Sequence, residues 1–208
     1  MIARRAQEIT PFLVMDVLER ACTMAECEGI DVIHLEVGEP DFDTPQCVKD
    51  AICRALDEGH THYTHSLGDP ALREAICEHY HERYGVTIDP GQVVVTSGTS
   101  PAMSLVFSAL LEAGDEVIVS DPHYACYPNF VRFVQGVPVV VPVCEEDGFQ
   151  YRPEAIEPKI TERTRAILIN SPSNPTGNLL SAERMEAIAQ FPPWIISDEI
   201  YHLSLIHI

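Results

Sequence analysis

The chain predicts an α/β fold, a mainly parallel sheet with crossover helices. Three observations carry that expectation. From Val93 onward, strand-like apolar runs alternate with helix-like ones. Glycine, proline or a capping residue punctuates almost every change of pattern. The side chains with chemical potential fall just after the strand-like runs, where ligands bind in parallel sheets.

The elements follow in order. Thr10-Pro11 reads as a cap with proline at the first helical position, and Val14, Val17, Leu18, Ala21 and Ala25 repeat at helical spacing up to Gly29. Residues 34–37 read as a short strand ending in the turn signal Gly-Glu-Pro-Asp. Thr44-Pro45 opens a second helix that ends at Gly59. Asp69-Pro70 opens a third, with Leu72, Ile76, Tyr80 and Tyr84 on related faces, ending at Gly85. Strands are then expected at 93–96, 116–120, 137–143, 166–170 and 194–197. Helices are expected at 101–111, 127–134, 153–160 and 181–190. The domain expectation is an N-terminal arm at 1–44, a larger unit at 45–202 and an atypical apolar tail at 203–208.

Composition narrows the partners. The formal charge is −19, from 32 acidic and 13 basic residues. Such a surface repels phosphate backbones and anionic lipid, so neither nucleic acid nor membrane is an expected partner. The seven cysteines contain no Cys-x-x-Cys pair and read as reduced, small apolar residues. The nine histidines show no metal-ligand spacing, and no metal site is expected. Glu8 and Thr10 interrupt any apolar run after Arg4 and Arg5, so no secretory signal is read, and the expected location is cytoplasmic.

Four strand ends carry candidate chemistry. After 93–96 comes Ser97-Gly98-Thr99-Ser100 and then a helix, an arrangement whose backbone amides and hydroxyls suit a phosphate. Alone, it reads better as an ordinary Ser/Thr cap. It matches neither the P-loop nor the dinucleotide pattern. After 116–120 comes Asp-Pro-His-Tyr124, an aromatic that can stack on a flat ring or simply pack on the surface. After 166–170 comes Asn-Ser-Pro-Ser-Asn174-Pro-Thr-Gly, a rigid turn presenting an amide donor. After 194–197 come Asp198 and Tyr201. A carboxylate at a buried strand end needs a partner, which a protonated pyridine nitrogen, a helix cap or an internal ion pair would each supply.

The order of these motifs, above all Ser-Pro-Ser-Asn-Pro-Thr-Gly at 171–177 and Ser-Asp-Glu-Ile-Tyr at 197–201, resembles the class I/II aminotransferases. These are fold type I enzymes that use pyridoxal 5'-phosphate (PLP). The resemblance covers nearly all of residues 10–202 and implies roles position by position. Gly98, Thr99 and Ser100 would hold the phosphate, and Tyr124 would stack on the ring. Asn174 and Tyr201 would bond the phenolic oxygen, and Asp198 would pair with the pyridine nitrogen. Gly38, in Gly-Glu-Pro-Asp-Phe, would meet the substrate carboxylate near Asn174. Tyr63 would reach the phosphate of a partner subunit, which implies a homodimer. The implied activity is amino-group transfer between an amino acid and a 2-oxo acid. A PLP-dependent lyase or synthase on the same scaffold, and a non-catalytic remnant, are the alternatives.

The resemblance also marks a departure. The family's Schiff-base lysine lies downstream of the Asp198 strand, and the two lysines of this chain, Lys49 and Lys159, stand elsewhere. The expectation is therefore a partial large domain with an N-terminal arm of the small domain, truncated at its C-terminal side, with no catalytic residue of its own and inactive as it stands.

Overall fold

The computed structural model describes residues 2–39 and 42–203. Pro40 and Asp41 of the expected substrate loop, and 204–208 of the expected tail, lie outside the described residues. The chain divides into two units, Met1–Leu13 with Thr99–Ile208, and Val14–Gly98.

The first unit holds a four-stranded parallel sheet: β1 (Glu116–Asp121), β2 (Val137–Pro142), β3 (Thr164–Asn170) and β4 (Trp194–Asp198). The strand order is β2-β1-β3-β4. The chain thus reverses its direction of winding between β1 and β3, the place at which open α/β sheets bind ligands beyond the strand ends. Helix α1 (Arg4–Glu8) precedes the sheet. Its helices are α5 (Thr99–Leu110), α6 (Tyr127–Phe133), α7 (Pro153–Ile156) and α8 (Ala182–Ile188). Two cores follow from strand alternation. Val117, Val119, Ala166 and Leu168 face Met103 and Phe107 of α5 and Tyr127 and Val131 of α6. Ile118, Ile167 and Ile169 face Tyr151, Ile156 of α7 and Ile188 of α8. With both faces covered, each buried aliphatic side chain contributes about 1.5–3 kcal/mol.

The second unit contains α3 (Gln46–Asp57), α4 (Pro70–Tyr84) and most of α2 (Leu13–Cys27). Asp69 caps α4 by accepting from the Ala71 and Leu72 amides, Pro70 supplies its first turn, and Gly85 ends it in the left-handed region at φ 67°. Gly68 is required by close approach: a Cβ there would lie 2.5 Å from the Val95 Cβ.

Several elements differ from expectation. Residues 93–96 are extended but form no strand. Val95 donates one backbone bond to Leu67, Val94 is exposed, and among the described residues no ladder partner completes a pair. Residues 34–37 likewise pair with no strand, and Ile33 and Leu35 are exposed. Helix α2 starts at Leu13 because Thr10 is tied to Asn129 through both its backbone groups. The expected helix at 153–160 is one α-turn followed by a 3-10 turn at Glu157–Lys159, since Pro158 has no amide hydrogen to continue it.

Among the described residues no helix is long and apolar enough to cross a membrane. All seven cysteines are free thiols.

Candidate functional site

All four strands run parallel, so their carboxyl ends share one edge of the sheet. Asn170 ends β3 and Asp198 ends β4, and the two stand opposite each other in register. Asn170 donates from Nδ2 to the Asp198 backbone oxygen (3.0 Å) and accepts at Oδ1 from the Asn174 amide (2.7 Å). That second bond anchors the turn after β3. The turn is closed further by Gly177 donating to Ser173 and by Leu180 donating to the Ser171 hydroxyl. Asn174 is thereby held so that its Nδ2 reaches the Tyr201 hydroxyl at 2.7 Å. An amide and a phenol that meet at this distance can both serve one further oxygen.

Asp198 is buried, with 7% of its surface exposed. Its Oδ2 accepts from the Tyr127 hydroxyl at 2.7 Å, and its Oδ1 accepts from the Ile200 amide at 3.2 Å. Both donors are neutral. Among the described residues no basic side chain pairs with it. A buried carboxylate in that condition suits a cationic partner.

Tyr124 lies in the turn between β1 and α6. Its ring meets Tyr127 edge-on at 5.4 Å and Phe12 edge-on at 5.9 Å. Burial first, and then the Cys126 thiol beside it, pushes its phenol up to about 12, with Tyr201 and Asp198 adding smaller contributions. Tyr127 is pushed higher still, first by burial and then by its bond to the Asp198 carboxylate. Both phenols remain protonated donors across the physiological range.

Thr99 and Ser100 open α5, whose Met103 and Phe107 sit in the same core as Tyr127. Their chain neighbour Gly98 belongs to the second unit. It has φ 95°, accepts from the Thr96 hydroxyl at 2.7 Å, and has no atom within 4 Å of where a Cβ would lie. Gly38 and Tyr63 are also in the second unit, in loops, and both are exposed. Among the described residues no group of three His, Cys, Asp or Glu side chains could hold a metal ion.

Residues 30–204 match the family model described as "Aminotransferase class I and II". The chain belongs to that family. It is 42% identical to an aspartate aminotransferase of Geobacillus stearothermophilus over 204 residues, covering 96% of this chain and 52% of that protein. It is 42% identical to a (5-formylfuran-3-yl)methyl phosphate transaminase of Methanocaldococcus jannaschii over 202 residues, covering 97% of this chain and 52% of that protein. The solved structure of Thermus thermophilus aspartate aminotransferase with maleate superposes with a TM-score of 0.92 at 41% identity, covering 96% of this chain and 53% of that one. The chain thus spans about half the length of the curated relatives it matches.

Within this aminotransferase frame, Tyr124 and Asp198 are linked through Tyr127, Asn174 bonds Tyr201, and Asn170 ties the two groups through the Asp198 and Asn174 backbones. Sequence reasoning missed two of these residues. Asn170 reads in the sequence as no more than the end of a strand, and Tyr127 as the start of a helix. The available signal for Tyr127 was its place three residues after Tyr124 at a strand-to-helix turn, which can put both rings on one side.

Proposed function

We propose that this chain supplies the cofactor-holding part of a PLP-dependent aminotransferase that moves an amino group between an amino acid and a 2-oxo acid. The observation that carries the reading is Asp198, a buried carboxylate at a parallel strand end that, among the described residues, is served by neutral donors. The donor set fits the cofactor: a carboxylate for a protonated ring nitrogen, and the Asn174–Tyr201 pair for a phenolic oxygen. Bound PLP supplies an electron sink for bonds at the amino carbon.

The chain's residues would act as follows. Asp198 keeps the ring nitrogen protonated. Asn174 and Tyr201 hold the phenolic oxygen, and Tyr124 covers the ring. Gly98, Thr99 and Ser100 bind the phosphate with backbone amides and hydroxyls. Gly38 serves the substrate carboxylate, and Tyr63 serves the phosphate in a second copy, which makes the working form a homodimer; its proposed location is the cytoplasm. Residues 1–44 would be an arm of a smaller domain and 45–202 part of the larger one.

These 208 residues by themselves would bind the cofactor only weakly and without turnover. Lys49 sits in α3 and pairs with Asp43 at 3.2 Å. Lys159 ends the 3-10 turn that leads toward the amino end of β3. Neither follows the carboxyl end of a sheet strand.

The test uses pyridoxamine 5'-phosphate, which needs no lysine, and its analogue with CH in place of the ring nitrogen. Asp198→Asn should weaken the first by about tenfold or more and leave the second unchanged. Equal binding of both probes by wild type and variant would overturn the reading. Borohydride after PLP addition should leave Lys49 and Lys159 unmodified. In the full-length gene product, Asp198→Ala should cut turnover by on the order of a hundredfold or more with the fold retained.

A further inference from the structure

Tyr127 has no assigned role in the family resemblance, yet it makes the shortest side-chain bond to Asp198, 2.7 Å across 71 residues of chain. Its ring is 2% exposed and packs with Phe107, Val131, Val119 and Leu168. A ring so enclosed has little freedom, and its hydroxyl is fixed with it. A carboxylate otherwise turns about its Cβ–Cγ bond. Here Oδ2 is held by the Tyr127 hydroxyl and Oδ1 by the Ile200 amide, so both oxygens have defined directions. The Tyr127 ring also meets Tyr124 edge-on at 5.4 Å, which links the carboxylate to the aromatic of the same site.

We propose that Tyr127 is a positioning residue: its hydroxyl fixes the plane of the Asp198 carboxylate, so that Asp198 meets a protonated pyridine nitrogen in one orientation. This rests on the reading of Asp198 above. Tyr127 touches neither cofactor nor substrate in this role. It acts through Asp198 and lowers the cost of ordering that side chain when the ligand binds. Its phenol stays protonated, so it donates to Asp198 at every pH at which the protein would work.

A tyrosine that is only part of the core would stabilise the fold without regard to the ligand's ring nitrogen. The two probes separate these roles. In the 208-residue chain, Tyr127→Phe should weaken pyridoxamine 5'-phosphate about fivefold and leave the CH analogue within about twofold. The double variant Tyr127→Phe/Asp198→Asn should bind no more weakly than Asp198→Asn alone, because Tyr127 acts through Asp198. Tyr151→Phe is the control. It removes another buried hydroxyl, one that donates to the Leu168 carbonyl, and should leave both affinities as in wild type.

If Tyr127→Phe keeps the wild-type ratio of the two affinities while Asp198→Asn abolishes it, the positioning role is wrong and the reading of Asp198 stands. If Asp198→Asn also keeps the ratio, both fail. A second measurement covers a Tyr127→Phe chain that does not melt cooperatively. Alkaline titration of tyrosinate absorbance, with the ring intact, should show one tyrosine moving toward the ordinary phenol range in Asp198→Asn. An unchanged titration would also overturn the proposal.

Discussion

The two ends of the sheet each bury a carboxylate, and they treat it in opposite ways. At the amino end, Glu116 is 5% exposed and fully served. It accepts from the Thr161 hydroxyl at 2.6 Å and the Thr164 hydroxyl at 3.2 Å, and Arg163 closes on it through Nη2 at 2.7 Å and Nε at 3.1 Å. The Thr161 hydroxyl first, and then Arg163 and Thr164, hold Glu116 below the usual carboxylate range despite its burial. Asp115 next to it is held down in the same direction, first by the Glu112 amide and then by Arg165. At the carboxyl end, Asp198 receives a phenol and one amide and, among the described residues, no cation. The first arrangement is complete in itself and ties the β1–β3 edge together. The second leaves a buried carboxylate with neutral donors, which is the feature that supports the cofactor role proposed for Asp198.

Neutralising each carboxylate in place sharpens that contrast most. Glu116→Gln should cost about 2 kcal/mol, because charge-assisted bonds from Arg163 and the two threonines are weakened. Asp198→Asn should change stability by no more than about 0.5 kcal/mol, because relief from burying a charge offsets the weaker bond to Tyr127. Denaturant melts measure both. Equal losses would erase the distinction between the two ends.

The pH profile of stability tests the same difference from two sides. Glu116 has a lowered folded-state pKa, so its contribution is present above the ordinary carboxylate range and is lost as pH falls through the folded value. Melting temperature should therefore fall on acidification, and Glu116→Gln should flatten that limb. Tyr127 and Tyr151 have raised phenols, chiefly through burial, so their contribution is present below about 10, the ordinary tyrosine value. It is lost as pH rises toward the folded values. Asp198→Asn should flatten part of this alkaline limb, because Tyr127 loses its bond to the carboxylate.

A smaller loss than that of Glu116→Gln belongs to Arg163. Its side chain is 70% exposed although its partner is buried. Arg163→Ala should cost about 0.5–1 kcal/mol and should cost less at high salt. A loss as large as that of Glu116→Gln would mean that the cation rather than the threonine hydroxyls dominates the amino-end cluster.

Much of this molecule was legible without coordinates. Strand and helix alternation after residue 116 was readable because apolar periodicity is a local property. The cap of α4 was readable from Asp69, Pro70 and Gly85 alone. The positions of Tyr124, Asn174 and Asp198 after strand-like runs were readable too, since motifs and turns are written within a few residues. Only the tertiary structure decided which strands adjoin. Residues 93–96 have a strand's composition and lack a strand's neighbour, and neighbours are set by distant chain. The same reason hid the bond from Tyr127 to Asp198 across 71 residues and the bonds from Arg163 to Glu116 across 47. Sequence spacing carries the identity of such groups, while packing of the sheet between its two cores decides which of them meet.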